Sequence, residues 1–356
     1  MDIDAAVASV FLDASPLEEI IGKLENSGTL GHAQKSSKLF GTPLYAATCA
    51  RRQDLVRYLL DSGHGESNSC CELLKAAIVN DDLEMIDLLM CSRYGVSRSG
   101  DEFQIAIIEA ARFGRATILK RLLDYILDHD LRIALQGGLW WAALRNHLDA
   151  ARLLIERNAN VNSKYIWDGE QLYDSVWNMS PAMLAAWMGH SGLLRFLLQA
   201  NKTQDDWDGT VGENLQAAIT GNQVESVQVI LDEARKFGET ARMPNVHEWT
   251  NLLHEGLELK CTDAILYLLK EENIFGWPDC VAKEFPAVTI DVLQQACPLG
   301  GASTFEMLLE AGEILNIPTT TAARAEPASP MSSSMFLSHR PWINITVSYQ
   351  EVSSSV

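Results

Sequence analysis

The sequence predicts an all-α protein in which short helix-turn-helix units follow one another as a solenoid of about eight repeats. The first observation is a pair of apolar residues that recurs at intervals of 29, 34, 32, 43, 33, 38 and 40 residues. The second observation is a pair of small residues, usually Ala-Ala, that precedes most of these apolar pairs. Self-similarity at this period indicates units that cannot bury their own apolar faces and must stack on their neighbours.

Each repeat is predicted to contain two short helices. Alanine on the first helix lets neighbouring helices approach closely and has no cost in helix propensity. The second helix carries apolar residues at i, i+3 and i+4, which form one helical face. The apolar pairs of the eight second helices are Leu59-Leu60, Leu88-Leu89, Leu122-Leu123, Leu154-Ile155, Leu197-Leu198, Ile230-Leu231, Leu268-Leu269 and Leu308-Leu309.

Local signals place several helix ends and the main boundaries. Thr42-Pro43 and Ser180-Pro181 each put a capping hydroxyl before a proline at the first helical position. Gly63 stands where a helix end is expected after Leu60. We expect an N-terminal helical cap over residues 1–40, the repeat array over 41–316, and an irregular C-terminal tail, a Pro/Ser-rich linker followed by an extended segment, over 317–356.

Three stretches resemble ankyrin repeats. Residues 180–190 read SPAMLAAWMGH, residues 42–45 read TPLY, close to the Thr-Pro-Leu-His signature of that family, and residues 154–162 resemble its second-helix end and turn. The resemblance covers residues 41–312 and is most specific in repeats one, four and five. It implies an array that binds a protein on a concave face. It also implies structural roles for His147, His190 and His254.

Composition and charge exclude several classes of function. With 28 basic against 47 acidic residues the formal charge is −19, and without a basic stripe we expect neither nucleic acid nor an anionic membrane surface as partner. Apolar runs are too short for a transmembrane helix, and the first twelve residues lack the basic start of a secretory signal. The seven cysteines show no Cys-x-x-Cys pair. We therefore predict reduced thiols, no metal, no cofactor and a cytoplasmic protein, with the nucleus as the open alternative.

The resemblance implies that the two positions after each alanine pair face outward on the concave side. A row this apolar at solvent-facing positions is typical of a binding groove. If the degenerate repeats are shifted by one residue, the same side chains belong to the core instead. The row consists of Cys49/Ala50, Ile78/Val79, Arg112/Phe113, Leu144/Arg145, Trp187/Met188, Ile219/Thr220, Glu258/Leu259 and Pro298/Leu299.

Tryptophan is concentrated in the middle of the chain. Six of the nine lie between residues 140 and 207, and the longest repeat spacing falls in the same window, where the extra residues fit a loop at 163–178. Aromatic side chains provide rigid contact area and pockets for apolar ligands. Trp141 is predicted to be core, whereas Trp140 could be core or contact. The predicted ligand or partner contacts are Phe113, Trp140, Tyr165, Trp167, Tyr173, Trp177, Trp187, Met188 and Trp207.

Two classes of function fit these features. The first is an interaction module that binds a protein or peptide on an apolar, aromatic concave groove. The second is a ligand-binding protein or cofactor-free small-molecule enzyme of cyclase or isomerase type, with an aromatic pocket between repeats four and six. In that second case Asp168, Asp174 and His254 are the candidate acids and bases. The ligand, the oligomeric state and the docking of the tail on the array stay open.

Overall fold

The computed structural model describes residues 17–26, 42–62, 70–91, 101–125, 131–164, 179–201, 210–237, 244, 246–259 and 261–269. These residues form α-helices and turns, with no strand among them. They divide into two compact units between Asn160 and Val161. The predicted boundaries at residues 40 and 316 lie outside the described residues, so the domain limits stay a prediction.

Within the described residues, the first unit contains one leading helix and four helix pairs. The leading helix, α1, spans Leu17–Asn26. The four pairs are α2 (Pro43–Cys49) with α3 (Gln53–Asp61), α4 (Cys70–Val79) with α5 (Leu83–Cys91), α6 (Asp101–Arg112) with α7 (Ala116–Asp124), and α8 (Arg132–Leu144) with α9 (Leu148–Glu156).

The second unit contains three helix pairs within the described residues. They are α10 (Pro181–Met188) with α11 (Ser191–Asn201), α12 (Thr210–Thr220) with α13 (Val224–Phe237), and α14 (Val246–Glu258) with α15 (Thr262–Leu269). The eighth predicted repeat, with Leu308-Leu309, lies outside that part of the chain. Among the fifteen helices α1 to α15, none has both the length and the apolar character that crossing a membrane requires.

Within each unit the helices form two layers around an apolar core. The first helix of each pair packs on the first helix of the next pair, and the second helices pack on one another in the same way. The alanine pairs are buried between the first helices. The predicted apolar pairs of repeats one to six and Leu268 line the core as well, although Leu88 and Ile155 are only half-buried. The sequence pattern therefore identified the core of both layers.

Two helix starts follow the capping signals in the sequence. The Thr42 hydroxyl accepts a hydrogen bond from the Tyr45 backbone N–H at 3.2 Å, and the Ser180 hydroxyl accepts one from the Met183 N–H at 3.2 Å. Each hydroxyl satisfies an N–H group that has no partner inside its own helix. Both predicted N-terminal caps are confirmed. Gly63, the predicted stop, lies outside the described residues.

The first helices end in one repeated turn. A residue with positive φ follows the helix, and the next backbone N–H bonds back to a buried alanine carbonyl. Glycine or asparagine occupies this left-handed position at Gly114, Asn146, Gly189 and Asn222, as expected from the low cost of that conformation for these residues. The returning bonds, of 2.8–3.0 Å, are Arg52 to Ala47, Asp82 to Ala77, Arg115 to Ala110, His147 to Ala142, His190 to Ala185 and Gln223 to Ala218.

Side chains of the next repeat cap the carbonyl groups left free at these helix ends. In the first unit, Asn80 Nδ2 donates to the Cys49 carbonyl at 2.9 Å, and Arg115 donates to the Val79 carbonyl at 3.0 Å. His147 Nε2 lies 3.1 Å from the Arg112 carbonyl, which confirms the structural role predicted for this histidine. In the second unit the Cys261 thiol reaches the Thr220 carbonyl at 3.6 Å. Burial raises the pKa of this thiol to about 11, so it keeps the proton that it donates.

A glycine compensates for a large residue between repeats six and seven. Ile219 is fully buried at the position where repeats three, four and five have the second alanine of the pair. A Cβ atom on Gly256 would lie 2.7 Å from Ile219 Cγ2 and 2.8 Å from Ile265 Cδ1. Repeat seven therefore has glycine where the other described repeats have alanine, because Ile219 and Ile265 together fill the space. Ile78 alone, at the position of Ile219 in repeat two, leaves room for Ala110 in repeat three.

We expect Gly221→Ala to destabilise the second unit. A Cβ atom at this position would lie 2.2 Å from the Trp187 carbonyl oxygen, which belongs to the backbone and cannot move alone. Overpacking of this kind costs about 1–3 kcal/mol. Gly192→Ala is the matched control, since nothing lies within 4 Å of its added Cβ and alanine favours the helix. Urea denaturation followed by far-UV circular dichroism measures both, and equal stability of the two variants would contradict this expectation.

We expect Asn80→Asp to destabilise the first unit by about 1–2 kcal/mol. The substitution keeps the shape of the side chain but removes the N–H group that donates to the Cys49 carbonyl. Asn158→Asp is the control, because Asn158 is exposed and aspartate tolerates its positive φ of 65°. Thermal denaturation compares the two. A loss of stability as large in the control would mean that the effect comes from the added charge and not from the lost bond.

Candidate functional site

The common turn gives a register for the outward positions of the first helices. In repeats three to five, the second alanine of the pair stands three residues before the left-handed residue. The same position is Ile78 in repeat two and Ile219 in repeat six, and both are fully buried. The predicted outward row was therefore one residue out of register in these two repeats. The reason is that Ala76-Ala77 and Ala217-Ala218 each stand one position earlier than the pairs in repeats three to five. Leu144, in the correct register, is also buried.

The two adjacent tryptophans of repeat four differ in burial, and the prediction that Trp141 is core is wrong. Trp140 is 2% exposed and lies in the core, whereas Trp141 is only half-buried. Their rings meet edge to face, with centroids 5.2 Å apart. Trp141 takes the same position before the alanine pair as Glu109 in repeat three, which is only 8% exposed. Trp140 is therefore a core residue, and Trp141 is the tryptophan that a partner can reach.

The other predicted site residues fall into two groups. Phe113, in the first unit, and Trp187 and Met188, in the second, are half-buried at the outward positions. His254 belongs to α14, and the position of its side chain is not among the described features. The remaining candidates lie outside the described residues: Tyr165, Trp167, Asp168, Tyr173, Asp174, Trp177 and Trp207. These assignments stay predictions.

A cation stacked on aromatic rings is the main feature of the first unit's outward surface. The Arg112 guanidinium lies over the Trp141 ring, with its central carbon 4.4 Å from the ring centroid, and 5.9 Å from the centroid of Phe113. Contacts of this kind contribute about 0.5–1 kcal/mol at exposed sites and more when desolvated. The backbone fixes the stack, since the Arg112 carbonyl accepts the bond from His147 on the next repeat.

The stack continues into a carboxylate shared by two cations. Glu109 Oε1 lies 3.4 Å from Arg112 Nη1 and 3.5 Å from Lys75 Nζ on the neighbouring first helix. Glu109 is only 8% exposed, and its second oxygen, Oε2, is buried without a hydrogen-bond partner. Both ion contacts are long compared with the 2.7–2.9 Å of a strong charge-assisted bond. Glu109 is therefore a buried carboxylate that its neighbours satisfy only on one side.

The surface extends over the first two repeats. Val79, four residues after Lys75, shares its helix face and is 43% exposed. On α2 the hydrogen bond with Cys49 raises the pKa of the Tyr45 hydroxyl, and burial raises the pKa of the Cys49 thiol. We call this surface the first-helix face, defined by Tyr45, Cys49, Lys75, Val79, Glu109, Arg112, Phe113 and Trp141.

Sequence reasoning missed four members of this face: Trp141, which it placed in the core, and Tyr45, Lys75 and Glu109. Tyr45 and Lys75 stand four residues before Cys49 and Val79, and Glu109 stands four before Phe113. Residues at i and i+4 share one face of a helix, so extending the predicted row backwards by one turn would have found them. Within the part of the chain that the structure describes, no group of three His, Cys, Asp or Glu residues is placed to bind a metal ion. The face instead offers charge, aromatic rings and apolar area side by side.

Comparison with known proteins agrees with the helix pairs. Residues 73–165 and 107–206 match the family model of ankyrin repeats, in three copies. The chain is similar to the crystal structure of the human ASB11 ankyrin repeat domain, with 18% sequence identity and a TM-score of 0.31. The alignment covers 62% of this chain and 83% of the ASB11 domain. A search of curated proteins finds no match. The family match identifies residues 73–206 as ankyrin repeats, and the helix pairs of each unit have an all-α repeat fold.

Proposed function

We propose that the chain is an interaction module that binds a protein or peptide segment on the first-helix face of its first unit. Ankyrin repeats in general act as protein–protein interaction modules. The observation that carries the proposal is the stack of Arg112 on Trp141 beside the exposed Val79. Tryptophan and arginine are the residue types most enriched where binding energy is concentrated in protein interfaces.

The composition of the face favours a protein partner. It alternates an apolar residue, Val79, with the ion pair of Lys75 and Glu109 and with aromatic rings. An interface of this kind combines contact area with hydrogen bonds that fix the orientation of the partner. The formal charge of −19 favours a basic or neutral partner over an acidic one, because like charges repel during the encounter.

The second unit contributes a smaller outward patch to the same proposal. Trp187 and Met188 are half-buried at the two outward positions of repeat five. The aromatic residues predicted at 165–177 and Trp207 are expected to add to this patch. The alternative of a small-molecule enzyme stays a prediction that depends on Asp168, Asp174 and His254, whose side chains lie outside the described part of the chain.

We expect Trp141→Ala to weaken binding of the partner by about 2 kcal/mol or more, since it removes the ring on which Arg112 stacks. The experiment captures proteins from an extract of the source cells on the tagged wild-type chain, and quantifies them by mass spectrometry against each variant. The affinity of each captured protein is then measured by isothermal titration calorimetry with the purified pair.

Tyr58→Ala is the matched control. Tyr58 is a half-buried aromatic residue of the same unit, but it lies on the second helix of its pair. A partner that binds the first-helix face is retained by Tyr58→Ala and lost from Trp141→Ala. Partners retained equally by both variants place the interface elsewhere. Trp187→Ala, tested in parallel, shows whether the second unit contributes to the same complex.

A further inference from the structure

We infer that the Glu109 carboxylate binds an arginine side chain of the partner. When no partner is bound, Lys75 occupies the place of that arginine. This inference rests on the proposed function, since it names the chemistry that the first-helix face recognises. It starts from the second oxygen of Glu109, which is buried and lacks a hydrogen-bond partner. A carboxylate oxygen left in this condition raises the free energy of the unbound protein.

The two cations already present do not satisfy Glu109. Lys75 and Arg112 both approach Oε1, at 3.5 and 3.4 Å, and neither contact reaches Oε2. An ammonium group is a single point charge, whereas a guanidinium presents parallel N–H groups that match both oxygens of a carboxylate. A partner's arginine that enters from the side of Lys75 meets Oε1 first, and it forms its second bond, to the enclosed Oε2, only when Lys75 has left.

Lys75 is free to leave. Its side chain is 49% exposed, and the contact with Glu109 is the one ion pair that it makes among the described residues. Arg112 stays in place, because it is held over the Trp141 ring. The same ring shows that a guanidinium fits this surface. An incoming arginine thus exchanges with an exposed, weakly held lysine rather than with a packed residue.

The electrostatic surroundings favour a cation. Burial raises the pKa of the Cys71 thiol, and the charges of Glu102 and Glu109 raise it further, which places both carboxylates close to this thiol. Glu102 is exposed on α6, the helix that carries Glu109. The whole chain is acidic, with a formal charge of −19. The negative charge of the chain therefore attracts an arginine-bearing segment before contact, and the Glu109 carboxylate binds the arginine after contact.

The test uses three fluorescein-labelled peptides that differ at one residue: Gly-Gly-Phe-Arg-Phe-Gly-Gly, its lysine analogue and its citrulline analogue. Citrulline has nearly the shape of arginine and no charge. Fluorescence anisotropy measures their dissociation constants with the full chain. We expect the arginine peptide to bind wild type about 10-fold or more tightly than the citrulline peptide, with the lysine peptide between them.

Two variants test the role of Glu109 and Lys75. Glu109→Gln keeps the shape of the side chain and should reduce the affinity for the arginine peptide to that for the citrulline peptide. Lys75→Ala should increase the affinity for the arginine peptide several-fold, because it removes the competing cation. Glu213→Gln is the control, since Glu213 is an exposed first-helix glutamate of the second unit that also pairs with a lysine, at 3.4 Å.

The outcomes separate this inference from the proposed function. Equal binding of the arginine and citrulline peptides by wild type overturns the inference. If Trp141→Ala weakens the binding of both peptides in that case, the first-helix face is still the binding surface and the proposed function stands. Weaker binding of the arginine peptide by Lys75→Ala, or no binding of any peptide at millimolar concentration, also overturns the inference. The capture experiment then decides the proposed function alone.

Discussion

The structure depends on how one repeat closes the end of the first helix of the repeat before it, a contact present at four junctions of the described residues. An α-helix leaves carbonyl groups without partners at its C-terminus, and here the donors come from the following repeat. The donors are chemically different: an amide on Asn80, a guanidinium on Arg115, an imidazole on His147 and a thiol on Cys261. Each lies within one compact unit together with its acceptor. What is constant in these four contacts is therefore the position of the acceptor, two residues before the left-handed residue, and not the identity of the donor.

This constraint also builds the candidate binding surface. The bond from His147 fixes the backbone at Arg112, whose side chain can then stack on Trp141 of the following repeat. One repeat supplies the carbonyl and the guanidinium, and the next supplies the imidazole and the aromatic ring. The surface thus belongs to the junction between repeats, and the same contacts that stabilise the stack also hold its exposed side chains in place.

The sequence predicted the helix pairs, the two caps at Thr42 and Ser180, and the buried alanine and leucine pairs, because these depend on local propensity and on period. It failed for Ile78 and Ile219, where alanine pairs shifted by one residue concealed the register that the returning hydrogen bond defines. It also placed Trp141 in the core and left Trp140 open between core and contact, because both assignments depend on that register. The pairing of Lys75 with Glu109 joins residues of two repeats and could not follow from local pattern.

The glycine at position 256 has an evolutionary consequence. A Cβ atom added at this position would meet Ile219 of the preceding repeat and Ile265 of its own repeat, so the residues that position 256 tolerates depend on two side chains. Repeat three carries Ala110 after the buried Ile78, so an isoleucine at this position does not by itself require glycine in the next repeat. Divergence at the junction of repeats six and seven is therefore constrained by positions 219, 256 and 265 together.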